Sequence, residues 1–209
     1  MEVVKIALTK GRLLKDQIKL LQAIGYDCNH ISPQDRRLVQ EIPDKGLQVV
    51  FLKAQDVPTY VEHGIVDMGI VGKDVLLEVK KKLYEVADLR FGRCHLAVAG
   101  RKGGIDGKRH LKVATKYPNI AKEFFAAKGQ SVEIIKQEGS VELAPLLGLS
   151  DVILDIVETG STLRANGLVV LEEVMEISAR LVLNKVSYKT KLKLRQIIDE
   201  IDLQLKGGC

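Results

Sequence analysis

Asp151-Val-Ile-Leu-Asp155-Ile-Val-Glu158-Thr159-Gly160-Ser161-Thr162-Leu163 is an apolar run carrying one carboxylate that breaks into Glu-Thr-Gly-Ser-Thr. The run from Val152 to Val157 has the length of one buried strand, and the small residues after it turn the backbone tightly enough to aim several N–H groups at one point. A helix starting near Thr162 would add its unsatisfied amides to the same anion site. Asp155 sharpens this reading, because a carboxylate inside a buried strand is costly unless sugar hydroxyls or a cation-bearing ligand lie close by. The plainer alternative is an ordinary turn with an N-cap, and short motifs of this kind arise often by chance.

Working outward, the chain alternates strands and helices. Val3 to Leu8 reads as a strand, and Leu14, Ile18, Leu21 and Ile24 recur at helical spacing until Gly25. Leu47 to Leu52 is a second strand, followed by Asp56 as an N-cap, a short helix with Pro58 and Tyr60, and a stop at Gly64. Val66 to Val71 returns as a third strand ending at Gly72. After Arg90, Phe91 to Ala99 reads as a crossover strand, Arg101 to Gly107 as a turn, and Lys112 to Ala114 as a strand. A helix from Asn119 to Lys128 is expected to bury Ile120, Phe124 and Ala127 and to stop at Gly129. Val132 to Ile135 and a short helix after Ser140 lead into the opening stretch. The alternation predicts α/β layers with mostly parallel strands.

Gly64-Ile-Val-Asp67 and Gly148-Leu-Ser-Asp151 each lead into an apolar strand, as two similarly built lobes would produce. A ligand would then lie in a cleft between the lobes, near the carboxyl ends of the strands. The last helix, with Leu194, Ile197, Ile198, Ile201 and Leu205 on one face, packs back on the first lobe.

Composition narrows the classes. The 209 residues are 46% hydrophobic and 28% charged, the balance of a soluble globular protein. No apolar stretch has the length of a membrane span and none near the N-terminus reads as a signal peptide, so a cytoplasmic location is expected and a membrane association is not. Cys28, Cys94 and Cys209 have neither disulfide nor zinc-ligand spacing and read as reduced thiols. His30, His63, His95 and His110 likewise read as surface or packing residues. The net charge of +5 comes from scattered basic residues, with no tryptophan and only 4% aromatics, which favours small anions over nucleic acid. Lys80-Lys81-Lys82 reads as a solvated helix end. Gly69-Ile-Val-Gly72-Lys73 fails as a Walker loop, because Asp67 stands where its first glycine belongs and Asp74 replaces the Ser or Thr.

From Glu142-Leu-Ala-Pro-Leu-Leu-Gly148 through Thr162-Leu163, the chain resembles the signature of the ATP phosphoribosyltransferases, which open histidine biosynthesis. Ile6-Ala-Leu-Thr-Lys10-Gly11-Arg12-Leu13 is similar to that family's N-terminal loop. Asp56-Val-Pro-Thr-Tyr60-Val-Glu-His-Gly64 through Gly72-Lys-Asp74 is similar to its next block. The resemblance implies a two-lobed, periplasmic-binding-protein type II-like fold, with residues 1–91 plus 182–209 in the first lobe and 92–181 in the second. Type I phosphoribosyltransferases place two adjacent acids before their loop, whereas Asp155 and Glu158 are separated here.

The resemblance also implies a chemistry. N1 of ATP would attack C1 of phosphoribosyl pyrophosphate, releasing pyrophosphate, with Mg²⁺ bridging pyrophosphate oxygens. Thr159, Gly160, Ser161 and Thr162 would hold the 5-phosphate, and Asp155 with Glu158 the ribose hydroxyls. Lys10 and Arg12, with Arg36 or Arg37, would neutralise phosphates, or else be solvated surface charges, and Gly11 between the first two joins the substrate-binding residues. Lys53 stands where relatives carry arginine and joins the candidate catalytic cations. Asp67 faces the adenine or caps a turn, and Glu142 either serves the site or complements a helix dipole. The length is similar to that of short-form members, which implies a histidyl-tRNA-synthetase-like regulatory subunit in a hetero-octamer, with catalytic chains paired as homodimers. The rival readings are a base-salvage phosphoribosyltransferase and a two-lobed anion-binding module without catalysis.

Overall fold

The computed structural model describes residues 2–29, 31, 35–42, 45–105 and 107–207; His30 and Cys209 lie outside the described residues. The chain divides into two compact units, one formed by Met1–Gly92 with Ser178–Cys209 and the other by Arg93–Ile177.

In the first unit the strands are β1 (Val4–Thr9), β2 (Val39–Ile42), β3 (Leu47–Leu52), β4 (Met68–Gly72), β5 (Tyr84–Asp88) and, reached only after the second unit, the strand Ala179–Leu183. In the second unit they are β6 (Cys94–Gly100), β7 (His110–Thr115), β8 (Ser131–Lys136), β9 (Val152–Val157) and β10 (Val169–Ile177), so the returning strand is β11. The sheets run β2-β3-β1-β4-β11-β5 and β10-β6-β9-β7-β8. Each is built around a parallel block, β3-β1-β4 in one and β8-β7-β9 in the other, and antiparallel strands extend it. The expectation of mostly parallel strands therefore describes the blocks, while the flanking strands make both sheets mixed.

The boundary expected at 181/182 falls inside β11 and moves to 177/178. The reason is pairing: β11 runs antiparallel to β4, from Ala179 opposite Gly72 to Leu183 opposite Met68, and also pairs with β5.

Alternation along β1 feeds two cores in the first unit. Val4, Ile6 and Leu8 join Leu14 and Leu21 of α1 (Leu14–Ala23), while Ala7 turns to Val57 and Val61 of α2 (Val57–Glu62). The final helix of the chain, Leu192–Gly207, buries Leu194, Ile197 and Ile201 in the first of these cores. α3 (Lys73–Val79) stops at Lys80, which adopts φ 49° as its C-cap, and Lys81 pairs with Glu62 at 3.0 Å. In the second unit α4 (Pro118–Ala127) buries Ile120, Ala121 and Phe125. Phe124 is only half-buried and Ala127 is exposed, so the expected face is rotated by one residue. α5 (Leu143–Leu146) and α6 (Ser161–Ala165) lie on either side of β9 in sequence. α7 (Lys185–Thr190) follows β11, so the closing helix is α8; the side chain of Asn184 caps α7 by accepting from the Val186 and Ser187 amides, both at 2.9 Å.

Candidate active site

Both central parallel blocks are anchored by one aspartate placed just before a strand. Asp67 accepts from the Lys5 amide at 2.8 Å and returns its own amide to the Lys5 carbonyl at 2.9 Å. Asp151 does the same with Lys112, at 2.8 and 2.9 Å. Each also holds a lysine: Lys191 at 2.7 Å from Asp67, and Lys108 on Asp151. Hydrogen bonds from Lys108 and from the Lys112 amide hold the Asp151 carboxyl below the usual carboxylate range. The Gly-x-x-Asp echo in the sequence is thus a repeated structural corner, with Gly64 at φ +69° and Gly148 at φ +78°.

From its corner β9 runs to Val157 and changes character on the way. Val152, Ile153 and Leu154 are buried, whereas Asp155, Ile156 and Val157 are half-exposed. Gly160 then turns at φ +68°, a left-handed conformation that favours glycine, and α6 begins at Ser161, one residue earlier than expected. The Thr159 hydroxyl lies 3.0 Å from that of Ser161 and 3.3 Å from its amide, so the two hydroxyls brace the turn. Amides in the first turn of a helix have no partner within it, and those of Thr162 and Leu163 are of this kind.

The result is a pocket of about 240 Å³ inside the second unit. Asp155, Glu158, Thr159, Gly160, Ser161, Thr162 and Glu142 all line it, as expected for one contiguous loop and the helix before it. Ala97 and Ala99 also line it and were not foreseen. Ala97 pairs with Asp155 and Ala99 with Ile153, so two methyl groups stand where larger side chains would fill the space beside the carboxylate. Alternating small residues in Leu96-Ala97-Val98-Ala99-Gly100 were the available signal, but register across an antiparallel pair cannot be read from one strand.

A second pocket, of about 150 Å³, lies within the first unit and is lined by Thr9, Lys10, Arg12, Ala54, Gly72 and Asp74 among others. Gly11 sits between two lining residues at φ +108°. Lys10 donates to the Asp35 carbonyl at 2.8 Å and lies over the Phe51 ring, 5.2 Å from its centroid; Arg12 donates to the Gly92 carbonyl at 3.0 Å. Asp74 is buried in the first turn of α3, where the helix dipole favours its charge.

Three expected residues stand apart. Lys53 and Arg36 are exposed and line neither pocket. Arg37 is tied to Asp35 by two guanidinium bonds, at 2.7 and 2.9 Å, and by its amide at 2.8 Å, and these hold the Asp35 carboxyl below its usual range. Asp67, only 3% exposed, lines neither pocket; its Oδ2 accepts from the Lys5 amide and pairs with Lys191 at the start of β4, which is the turn-anchoring one of its two expected readings. The described residues contain no cluster of three or more His, Cys, Asp or Glu able to hold a metal ion. No helix among them is long and apolar enough to cross a membrane.

The second unit thus presents, where its strand β9 ends, an acidic, hydroxyl-rich, glycine-turned pocket of the kind that suits a phosphorylated ligand. Similarity to known proteins makes this specific. A family profile described as ATP phosphoribosyltransferase matches residues 53–207. An ATP phosphoribosyltransferase of Alkaliphilus metalliredigens is 64% identical over 203 residues, covering 96% of this chain and 97% of that protein. One from Clostridium kluyveri is 51% identical, covering 97% and 94%. The solved ATP phosphoribosyl transferase (HisG:HisZ) complex from Thermotoga maritima is similar at a TM-score of 0.84 and 35% identity, over 98% of this chain and 100% of that one. The chain belongs to the ATP phosphoribosyltransferase family. The substrate-binding protein of an amino acid ABC transporter, at a TM-score of 0.60 and 15% identity over 99% of this chain and 95% of that one, shares the fold alone, which is the expected periplasmic-binding-protein type.

Proposed function

We propose that this chain carries out its family's reaction, the first step of histidine biosynthesis, with the β9–α6 pocket as the site of the phosphoribosyl donor. N1 of ATP attacks C1 of phosphoribosyl pyrophosphate, the C1–O bond to pyrophosphate breaks, and N1-(5-phosphoribosyl)-ATP and pyrophosphate result. No protein nucleophile is required, since both bond changes occur at C1. The protein's task is to hold the 5-phosphate, orient the ribose and offset the charge that develops on the leaving group.

The observation that carries this reading is the seven expected residues gathered around one pocket. The Thr162 and Leu163 amides and the Thr159, Ser161 and Thr162 hydroxyls suit a phosphate dianion. Asp155, with Ala97 opposite, leaves room for a ribose edge whose hydroxyls donate to the carboxylate. Glu158 and Glu142 supply further acceptors at the rim. Lys10 and Arg12 provide cations for pyrophosphate or ATP phosphates. Mg²⁺ would be held chiefly by the substrate's own pyrophosphate, since the described residues offer no cluster of three or more His, Cys, Asp or Glu, and would help offset the charge on the leaving group. The solved Thermotoga relative carries HisZ in its complex, which supports a separate regulatory chain as this protein's partner. The hetero-octamer with paired catalytic chains is the assembly that the family resemblance implies.

Incubation of the chain with phosphoribosyl pyrophosphate and either ATP or free purine and pyrimidine bases, with and without the regulatory chain, tests the assignment. The expected product is phosphoribosyl-ATP. Product from free bases alone would overturn it in favour of base salvage, and ligand binding without turnover in either mixture would favour a binding module.

A further inference from the structure

We propose that Thr9 is a ligand-binding residue whose hydroxyl, aimed by Gln17, donates its hydrogen to a phosphate oxygen in the pocket of the first unit. The inference deepens the proposed reaction and rests on it. Thr9 is the last residue of β1, 3% exposed, and lines that pocket together with Lys10 and Arg12. Gln17, on α1, is fully buried and spends its whole amide on Thr9.

The direction of the hydrogen bonds decides the role. A backbone N–H only donates, so the Gln17 atom 3.0 Å from the Thr9 amide nitrogen is the carbonyl oxygen Oε1. That fixes the amide's orientation and leaves its nitrogen, Nε2, 2.7 Å from Thr9 Oγ1, as a donor to the hydroxyl. One lone pair of Oγ1 is thereby taken, and the hydroxyl's single hydrogen remains to be given elsewhere. No described residue accepts a hydrogen bond from it. A buried hydroxyl hydrogen without an acceptor is costly, and in a pocket lined by Lys10 and Arg12 as well as the Asp74 carboxylate, an oxyanion of the substrate held by the two cations is an acceptor that removes the cost. Either the pyrophosphate of the donor or a phosphate of ATP has that chemistry.

The purified full chain is titrated calorimetrically with three probes: inorganic pyrophosphate, ATP and phosphoribosyl pyrophosphate. Loss of one hydrogen bond to a charged group is expected to weaken at least one of them about tenfold in Thr9→Val. Thr9→Ser, which keeps the hydroxyl, retains the affinity. Gln17→Met frees the hydroxyl to rotate and falls between the two, and Thr9→Val/Gln17→Met binds no more weakly than Thr9→Val alone. The pattern among the probes identifies which phosphate is bound. A lower melting temperature in Thr9→Val with all three affinities within twofold of wild type would reduce Thr9 to a structural residue and overturn the inference. Equal impairment of Thr9→Ser and Thr9→Val would also overturn it. Wild-type protein that binds none of the probes would instead defeat the reading of the reaction, and this inference with it.

Discussion

The corner at Asp67 and the corner at Asp151 are the same device in two places, and the strands leaving them end differently. β4 is buried along its whole length and passes straight from Gly72 into α3, whose first amide is satisfied by the Ser178 carbonyl at 3.0 Å. β9 opens at Asp155 and spends Glu158, Thr159 and Gly160 on a turn before α6 begins. A shared framework therefore opens into the β9–α6 pocket, the proposed sugar-phosphate cradle, through three loop residues and one carboxylate inside a strand. The site is separable from what holds the sheet together, and that separation is what substitutions can test.

The largest effect is expected at the more buried corner. Asp67→Ala strands the Lys5 amide and the Lys191 ammonium, and should lower unfolding free energy by about 3 kcal/mol in urea titration. Donor affinity measured at a temperature where the variant is folded should change little; a loss of affinity with unchanged stability would return Asp67 to the site. Gly160→Val should do the reverse. A β-branched residue at φ +68°, with its Cβ 3.1 Å from the Arg164 guanidinium, opposes the turn by about 2 kcal/mol. Calorimetry should show phosphoribosyl pyrophosphate binding weakened roughly thirtyfold, with Thr162→Ala in the same direction; wild-type affinity in both variants would refute the cradle.

The smallest effect concerns acid. The Asp151 carboxyl is held below its usual range, so its contribution to stability is fully present above the ordinary carboxylate pKa of about 3.9 and is lost as pH falls through the lowered value. Asp151→Asn should flatten the acid limb of the stability profile below about pH 4 and cost about 1 kcal/mol at neutral pH. An unchanged acid limb would mean that the Lys108 pair contributes nothing in solution.

How far the amino-acid sequence revealed this arrangement depended on how local each feature was. The strands at Val152–Val157 and Leu47–Leu52 were read to the residue, because each is a continuous apolar run. The cradle was contiguous and equally open to reading. β5 and β10 went unread because Glu85, Asp88, Glu172, Glu173 and Glu176 interrupt their apolar pattern, as suits strands at sheet edges. Asp67 was open to two readings until the fold brought Lys191 to it from 124 residues away. In α4 the adjacent Phe124 and Phe125 differ by about 100° around the helix axis, too fine a choice for periodicity alone. Ala97 and Thr9 became meaningful only with their partners, Asp155 across the sheet and Gln17 one helix away.

The position of β11 has a consequence for how the chain is made. It lies between β4 and β5, and among the described residues β5 pairs with no other strand, so the first sheet stays split until Ala179–Leu183 leaves the ribosome. The second unit is one uninterrupted segment, Arg93–Ile177, and is fully synthesised by then. Synthesis order thus lets the second unit fold first, while the first unit keeps an open sheet edge at β4 until β11 has been made.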